Sequence, residues 1–246
     1  MLLEFVKETA KLALIAALVS FLLSRYIRWK KPDLATKAEQ YRMFILLILG
    51  ILLTAVKISE EALSGGSGPA DKAILLFVHS HVPATWTEFF ELVTLLGSFK
   101  VPLFLTVICC VSFYIFNSRF EALLLASSSI CGGLIIYLLK LVTGRERPAL
   151  WETHWYWGTS FPSGHTLETT CFVMALTLCL SPMWPHHVRL MRMIALIWVL
   201  VVGTSRLVLG VHWPTDVLAA ACIGMLIPIA VQFVLFRLGL RRIHSA

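Results

Sequence analysis

The 246-residue chain is 58% hydrophobic and 14% charged, against roughly 45–50% and about 25% in soluble domains. A soluble fold of this length could not hide so much apolar surface, so lipid is the expected solvent for much of it. The net charge of +7 accompanies no nucleic-acid motif and reads as Lys and Arg gathered in cytoplasmic loops.

A helix needs about 20 mostly apolar residues to cross a bilayer. Windows of that size give seven candidate spans, at 10–28, 42–58, 100–117, 121–141, 163–181, 190–206 and 214–236. The first has the shortest apolar core, Leu12 to Leu23, and an interfacial helix is its alternative. It follows Glu4, Lys7, Glu8 and Lys11 and ends at no small-residue cleavage site, so it is not read as a cleavable signal. The next loop holds Arg25, Arg28, Lys30, Lys31, Lys37 and Arg42. Arg119, Arg189 and the tail Arg237, Arg241 and Arg242 fall on the same side when seven spans are threaded, which makes that side cytoplasmic. Loops 59–99, 142–162 and 207–213 then lie outside. The first opens with the flexible turn Gly65-Gly66-Ser67-Gly68-Pro69. After it Trp86, Phe89, Phe90, Val93 and Leu96 recur at helical spacing, as an amphipathic surface helix or a plain packing helix. The expectation is an all-α polytopic protein: a single domain over 1–246, with a six-helix core preceded by an added span and cytoplasmic loop within 1–41.

Polar groups interrupt the apolar sequence in three places. Lys140 is followed after six residues by Arg147-Pro148; then comes Pro162-Ser163-Gly164-His165; then Ser205-Arg206, His212 and Asp216. The topology puts all three at one membrane face. Lys140, Arg147 and Arg206 would repel one another without an anion between them, and the planar arginine fork suits phosphate oxygens. Ser163 reads as a helix N-cap, which turns the free N–H groups of Gly164 and His165 toward that anion. Gly164 lets phosphate approach the backbone closely. Of His165 and His212, one can attack phosphorus while the other protonates the leaving oxygen. Asp216, four residues after His212, can hold its imidazole in one tautomer. No carboxylate cluster for a metal is evident, and three fixed cations can neutralise a phosphoryl transition state.

These segments resemble the tripartite signature of the type 2 phosphatidic acid phosphatases, K-x6-RP, PSGH and SR-x5-H-x3-D, with every signature position present over about a third of the chain. The resemblance implies a helical core, no metal or cofactor, and a phosphohistidine intermediate. It implies His212 as nucleophile, Asp216 as its orienter and His165 as acid, with Lys140, Arg147, Ser163, Gly164 and Arg206 holding phosphate. The expected substrate is a lipid phosphate or diphosphate: undecaprenyl diphosphate, phosphatidylglycerophosphate, phosphatidate or a lipid A phosphate. Alternatives are a phosphatase for a soluble ester such as a sugar phosphate, and a silent lipid-binding relative; intact motif histidines argue against the latter. The motif also occurs in vanadium haloperoxidases, which are soluble, unlike this chain. The expected setting is the cytoplasmic membrane with the site on its outer face; the partners are membrane lipid and a phosphorylated lipid, with no nucleic acid.

Other conspicuous residues have plainer readings. The six cysteines, Cys109, Cys110, Cys131, Cys171, Cys179 and Cys222, sit in apolar runs as small hydrophobes. Glu168 lies inside a span but outside the signature, and a site cation is its candidate partner, since intramembrane acids tend to have partners. His79 and His81 are too close in sequence to share a helix face as metal ligands, and His186-His187 reads as a solvated turn. Trp151, Trp155, Tyr156 and Trp157 read as an interfacial belt or a contact for the lipid's alkyl chain.

Overall fold

The computed structural model describes residues 42–151 and 158–240, with Leu18, Phe21, Leu22, Arg25, Tyr26 and Trp29 as isolated earlier positions. The expected span at 10–28 and the basic loop after it lie largely outside the described residues, as do Trp155, Tyr156, Trp157, Arg241 and Arg242. The chain divides into two compact units, Met1–Lys57 and Ile58–Ala246. The division falls within helix α1 (Arg42–Ser64). In the first unit α1 turns Met43, Phe44, Ile45, Leu47 and Leu52 outward, as a helix in lipid does.

The second unit continues with α2 (Gly68–His81), a 3-10 turn (Ala84–Trp86), α3 (Thr87–Leu95), α4 (Lys100–Ile115), α5 (Arg119–Val142), α6 (Gly164–Leu180), a second 3-10 turn (Pro185–His187), α7 (Val188–Val208) and α8 (Pro214–Arg237). Every regular element among the described residues is helical. Helices satisfy their own backbone, which hydrocarbon requires. Among the described residues, five helical stretches are long and apolar enough to cross a membrane, and α6, at 17 residues, is a shorter apolar helix.

The 59–99 region is not the loop that hydropathy predicts. The last turns of α1, then α2 and α3, occupy most of it. Pro69 in the first turn of α2 suits a helix start, and Asp71 there complements the helix dipole. Lys72, His79 and His81 lower its hydropathy, so span-sized windows pass over α2. The aromatic stripe is helical, but it is not a buried face. Val93 and Thr94 turn inward, while Trp86, Phe89 and Leu96 remain about half exposed. The first 3-10 turn, α3 and α4 together form an apolar stretch of 32 residues, Ala84–Ile115, so this crossing begins earlier than expected.

Antiparallel neighbours position the site. α6 packs most extensively on α8 and α5, and α7 packs on α6 and α3. The short turns 116–118 and 181–187 reverse the chain at one end, the first through Asn117 in the left-handed region at φ 56. The C-termini of α5 and α7 and the N-termini of α6 and α8 therefore meet at the other. The end away from the site holds the largest apolar cluster: Phe113, Phe120, Leu124, Leu125, Phe172, Val173, Ala175, Cys179 and Leu235. Leu167, Cys171, Ala220 and Ile227 fill the middle. The cysteines are free and buried or half-buried, as their apolar settings predict.

Small residues set the approach of α6 to α8. A Cβ added at Gly224 would lie 2.8 Å from the Leu167 carbonyl oxygen and 2.9 Å from Thr170 Cβ. Helices in lipid gain from such close packing. Gly224→Ala should lower the unfolding midpoint of the detergent-solubilised protein, through an overpacking cost of about 1–3 kcal/mol. Gly50→Ala, where nothing lies within 4 Å, should leave it nearly unchanged. Equal midpoints for the two variants would remove this close contact as a determinant of stability.

Candidate active site

Where the four helix ends meet, Lys140, Arg147, Gly164, His165, Arg206 and His212 line one cavity of about 320 Å³. Phe99, Gly133, Ile136, Tyr137 and Glu168 complete its wall. The three sequence segments thus converge, and each cation is braced by groups outside its own segment. Lys140, in the last turn of α5, donates to the Thr159 carbonyl. Arg147 donates from Nε to Gly158 O at 3.2 Å and from Nη1 to Val211 O at 2.8 Å. Arg206 is wholly buried at the end of α7 and donates to Thr94 Oγ1 of α3.

Ser163 occupies the N-cap position of α6, with φ −67 and ψ 109, and its side chain makes no capping bond. Its hydroxyl lies 3.1 Å from Thr166 Oγ1 instead. The first-turn N–H groups of α6 have no intrahelical acceptor and suit an anion. Gly164 faces the cavity, and its nearest neighbour, Ile136, would be 3.8 Å from an added Cβ.

The tautomer of His212 follows from its neighbours. Its Nε2 is 3.3 Å from Arg147 Nη1. Arginine only donates, so Nε2 accepts and the ring proton sits on Nδ1. Nδ1 is 3.6 Å from Asp216 Oδ2, a short ring rotation away from a hydrogen bond. The lone pair therefore lies on the cavity side and the N–H on the carboxylate side. Burial pushes the His212 pKa down to about 4, against the opposing pull of Asp216. His212 is only 2% exposed, and the ring is neutral at ordinary pH.

Asp216, wholly buried at the third position of α8, is held from several directions. Its Oδ2 accepts from the Trp213 backbone N–H at 2.9 Å and from Ser160 Oγ. Its Oδ1 accepts from Arg145 Nη1. Arg145 also donates from Nη2 to Asp71 Oδ2 at 2.7 Å, so one guanidinium bridges two buried carboxylates. Thr215 joins them, donating to Asp71 Oδ2 at 2.7 Å and receiving Arg145 Nη1 at 2.9 Å.

Sequence reasoning passed over Arg145, Asp71, Ser160 and Thr94. Arg145 stands between Lys140 and Arg147, and Asp71 is the sole acid of α2; those were the available signals. Glu168 departs from its candidate pairing. Among the described residues no site cation bonds it, and its Oε1 is buried without a hydrogen-bond partner. Trp151 is not a free belt residue: it stacks on His79 at 4.2 Å and lies over Gly210, whose φ is +65. His186 and His187 are exposed in the second 3-10 turn.

Residues 121–238 match the PAP2 superfamily. Over 190 residues the chain is 28% identical to phosphatidylglycerophosphatase B of Bacillus subtilis (strain 168), covering 76% of this chain and 88% of that protein. It is 30% identical over 118 residues to lipid A 1-phosphatase of Rhizobium johnstonii, covering 44% of this chain and 45% of that protein. The crystal structure of a transmembrane PAP2-type phosphatidylglycerolphosphate phosphatase from Bacillus subtilis superposes with a TM-score of 0.71 at 25% identity, over 80% of this chain and 98% of that one. The homologues support a phosphoric monoester hydrolase.

Two measurements probe this geometry. The depressed His212 pKa places the acid limb of kcat/KM, corrected for ionisation of the substrate, near pH 4 rather than near 6.5. A limb centred at 6.5 would show an ordinary, hydrated imidazole. Arg145→Lys keeps a charge but cannot span both carboxylates. It should lower kcat by an order of magnitude or more with KM little changed, and reduce stability toward the ~3–5 kcal/mol typical of a broken buried ion pair. Unchanged kcat would remove the bridge from the catalytic geometry.

Proposed function

Because residues 121–238 form a PAP2 superfamily domain in a membrane-spanning chain, we propose that this protein hydrolyses the phosphate ester of a membrane lipid through a phosphohistidine. The observation that carries the reading is the shared cavity: the His212 lone pair and His165 face the same space as Lys140, Arg147 and Arg206, beside the apolar wall of Phe99, Ile136 and Tyr137. A phosphate enters among the cations, and the lipid's hydrocarbon continues along that wall.

His212 Nε2 donates its lone pair to phosphorus as the ester P–O bond breaks. A monoanionic substrate brings one proton, which His165 passes to the departing lipid oxygen. The imidazole gains positive character as the N–P bond forms, and Asp216 offsets it at Nδ1–H. Water then attacks phosphorus with His165 accepting its proton, releasing phosphate and restoring His212. Lys140, Arg147, Arg206 and the N–H groups at Gly164 and His165 bind the equatorial oxygens, with Ser163 shaping the helix start; no step calls for a metal. Phosphatidylglycerophosphate heads the candidate substrates, because the Bacillus subtilis relative, matched over 88% of its length, is named a phosphatidylglycerophosphatase. The site lies on the outer face of the cytoplasmic membrane, following the charge asymmetry of the loops.

Turnover by purified protein on phosphatidylglycerophosphate, phosphatidate, a lipid A phosphate and undecaprenyl diphosphate, with glucose 6-phosphate as control, tests the class. Hydrolysis should favour a lipid, survive EDTA and be inhibited by vanadate. Preference for the sugar phosphate, or EDTA inactivation reversed by Mg²⁺, would overturn the reading. His212→Ala should abolish both turnover and covalent phosphate trapping. His165→Ala should lose about 10²–10⁴-fold on an alkyl phosphate and much less on an aryl phosphate, whose leaving group needs little protonation. Equal losses on both, with chemistry rate-limiting, remove His165 from the acid role.

A further inference from the structure

The chemistry proposed above leaves one buried carboxyl of the cavity unused. Glu168 stands three residues after His165 on α6, about 4.5 Å further along the helix. It is 4% exposed, and its Oε1 has no hydrogen-bond partner among the described residues. Glycines make its room: a Cβ at Gly133 would lie 3.4 Å from Oε1, and one at Gly132 would lie 3.7 Å from Oε2. The carboxyl lines the cavity together with His165 and the three cations. A buried polar group without a partner is unfavourable, so a ligand that supplies a donor there gains by doing so.

The position selects what that ligand is. His165 lies where the departing oxygen takes its proton, so the atoms just beyond that oxygen are the ones that pass Glu168. The required group is a hydrogen-bond donor. An ammonium is disfavoured, because Lys140, Arg147 and Arg206 line the same space. A hydroxyl donates without bringing a second positive charge. We propose that Glu168 accepts a hydrogen bond from a free hydroxyl on the carbon next to the ester carbon of the departing alcohol, making the site selective for lipid phosphates with a polyol headgroup. The inference rests on the lipid-phosphatase reading and narrows its substrate class. Sites built to bond a hydroxyl discriminate far more strongly than apolar pockets, because the analogue leaves a buried group unpaired.

A matched pair of lipids tests it: phosphatidylglycerophosphate, and the same lipid with propane-1,3-diol in place of the terminal glycerol. In mixed micelles the native enzyme should favour the hydroxyl-bearing lipid in kcat/KM by on the order of 10–100-fold. Glu168→Leu should bring that ratio to within about threefold of unity, and Glu168→Gln, whose amide oxygen still accepts, should keep part of it. Should the leucine variant not fold, the native ratio and the glutamine variant still decide. A native ratio near one, or native-like ratios in both variants, overturns the role of Glu168 while leaving a lipid phosphatase standing. Turnover of glucose 6-phosphate with neither lipid hydrolysed overturns the lipid reading and this inference with it.

Discussion

A carboxylate held inside a membrane protein organises the site end of the bundle. Asp216 receives Arg145, the Ser160 hydroxyl and the Trp213 backbone N–H, and it stands behind the His212 ring. These groups come from the α5–α6 connection, the α7–α8 connection and α8 itself, so one residue ties both connections together. Arg145 extends the tie to Asp71 on α2. Desolvating such charges is expensive, and they persist only when nearly every lone pair and N–H is matched. That matching makes the arrangement rigid and holds the carboxylate 3.6 Å from Nδ1 of His212, on the side where Arg147 at Nε2 leaves the ring proton.

The same economy of polar groups separates the two halves of the helical bundle. Away from the site the interior is Phe113, Phe120, Leu124, Leu125 and Phe172, and the outward surface is also apolar. In the middle of the bundle packing depends on shape, as at Gly224. At the site end, cations lie beside unfilled space, and backbone carbonyls such as Thr159 O and Val211 O brace them. Under the proposed function, a phosphate entering that space would meet donors already aimed, so little reorganisation would accompany charge development. Glu168 lines the same cavity as those cations, and under the proposal above it meets the part of a substrate beyond the phosphate.

Much of this was legible in the chain itself. The spans come from runs of apolar residues, which hydrocarbon thickness makes hard to misread. The motif residues Lys140, Arg147, His165, Arg206, His212 and Asp216 stand out because a charge inside an apolar run needs a reason. The 59–99 region was misjudged because α2 is only 14 residues long and carries charge, which defeats any window sized to a bilayer. The aromatic stripe could be read as a surface helix or a packing helix because periodicity reports one side of a helix without saying whether lipid or protein covers it.

The sequence by itself determined the membrane setting, the helical class and the chemical kinds of group at the site, since each depends on local composition or short spacing. Only the tertiary structure decided which distant residues complete that site. Thr94 reaches Arg206 across 112 positions, Asp71 reaches Arg145 across 74, and Ser160 reaches Asp216 across 56. No period or motif encodes such pairs; they arise from how α2, α3 and the α5–α6 connection settle against α7 and α8. The candidate partner of Glu168 failed for the same reason. A cation can line the same cavity without bonding its carboxyl, which packs against Gly132 and Gly133 of α5.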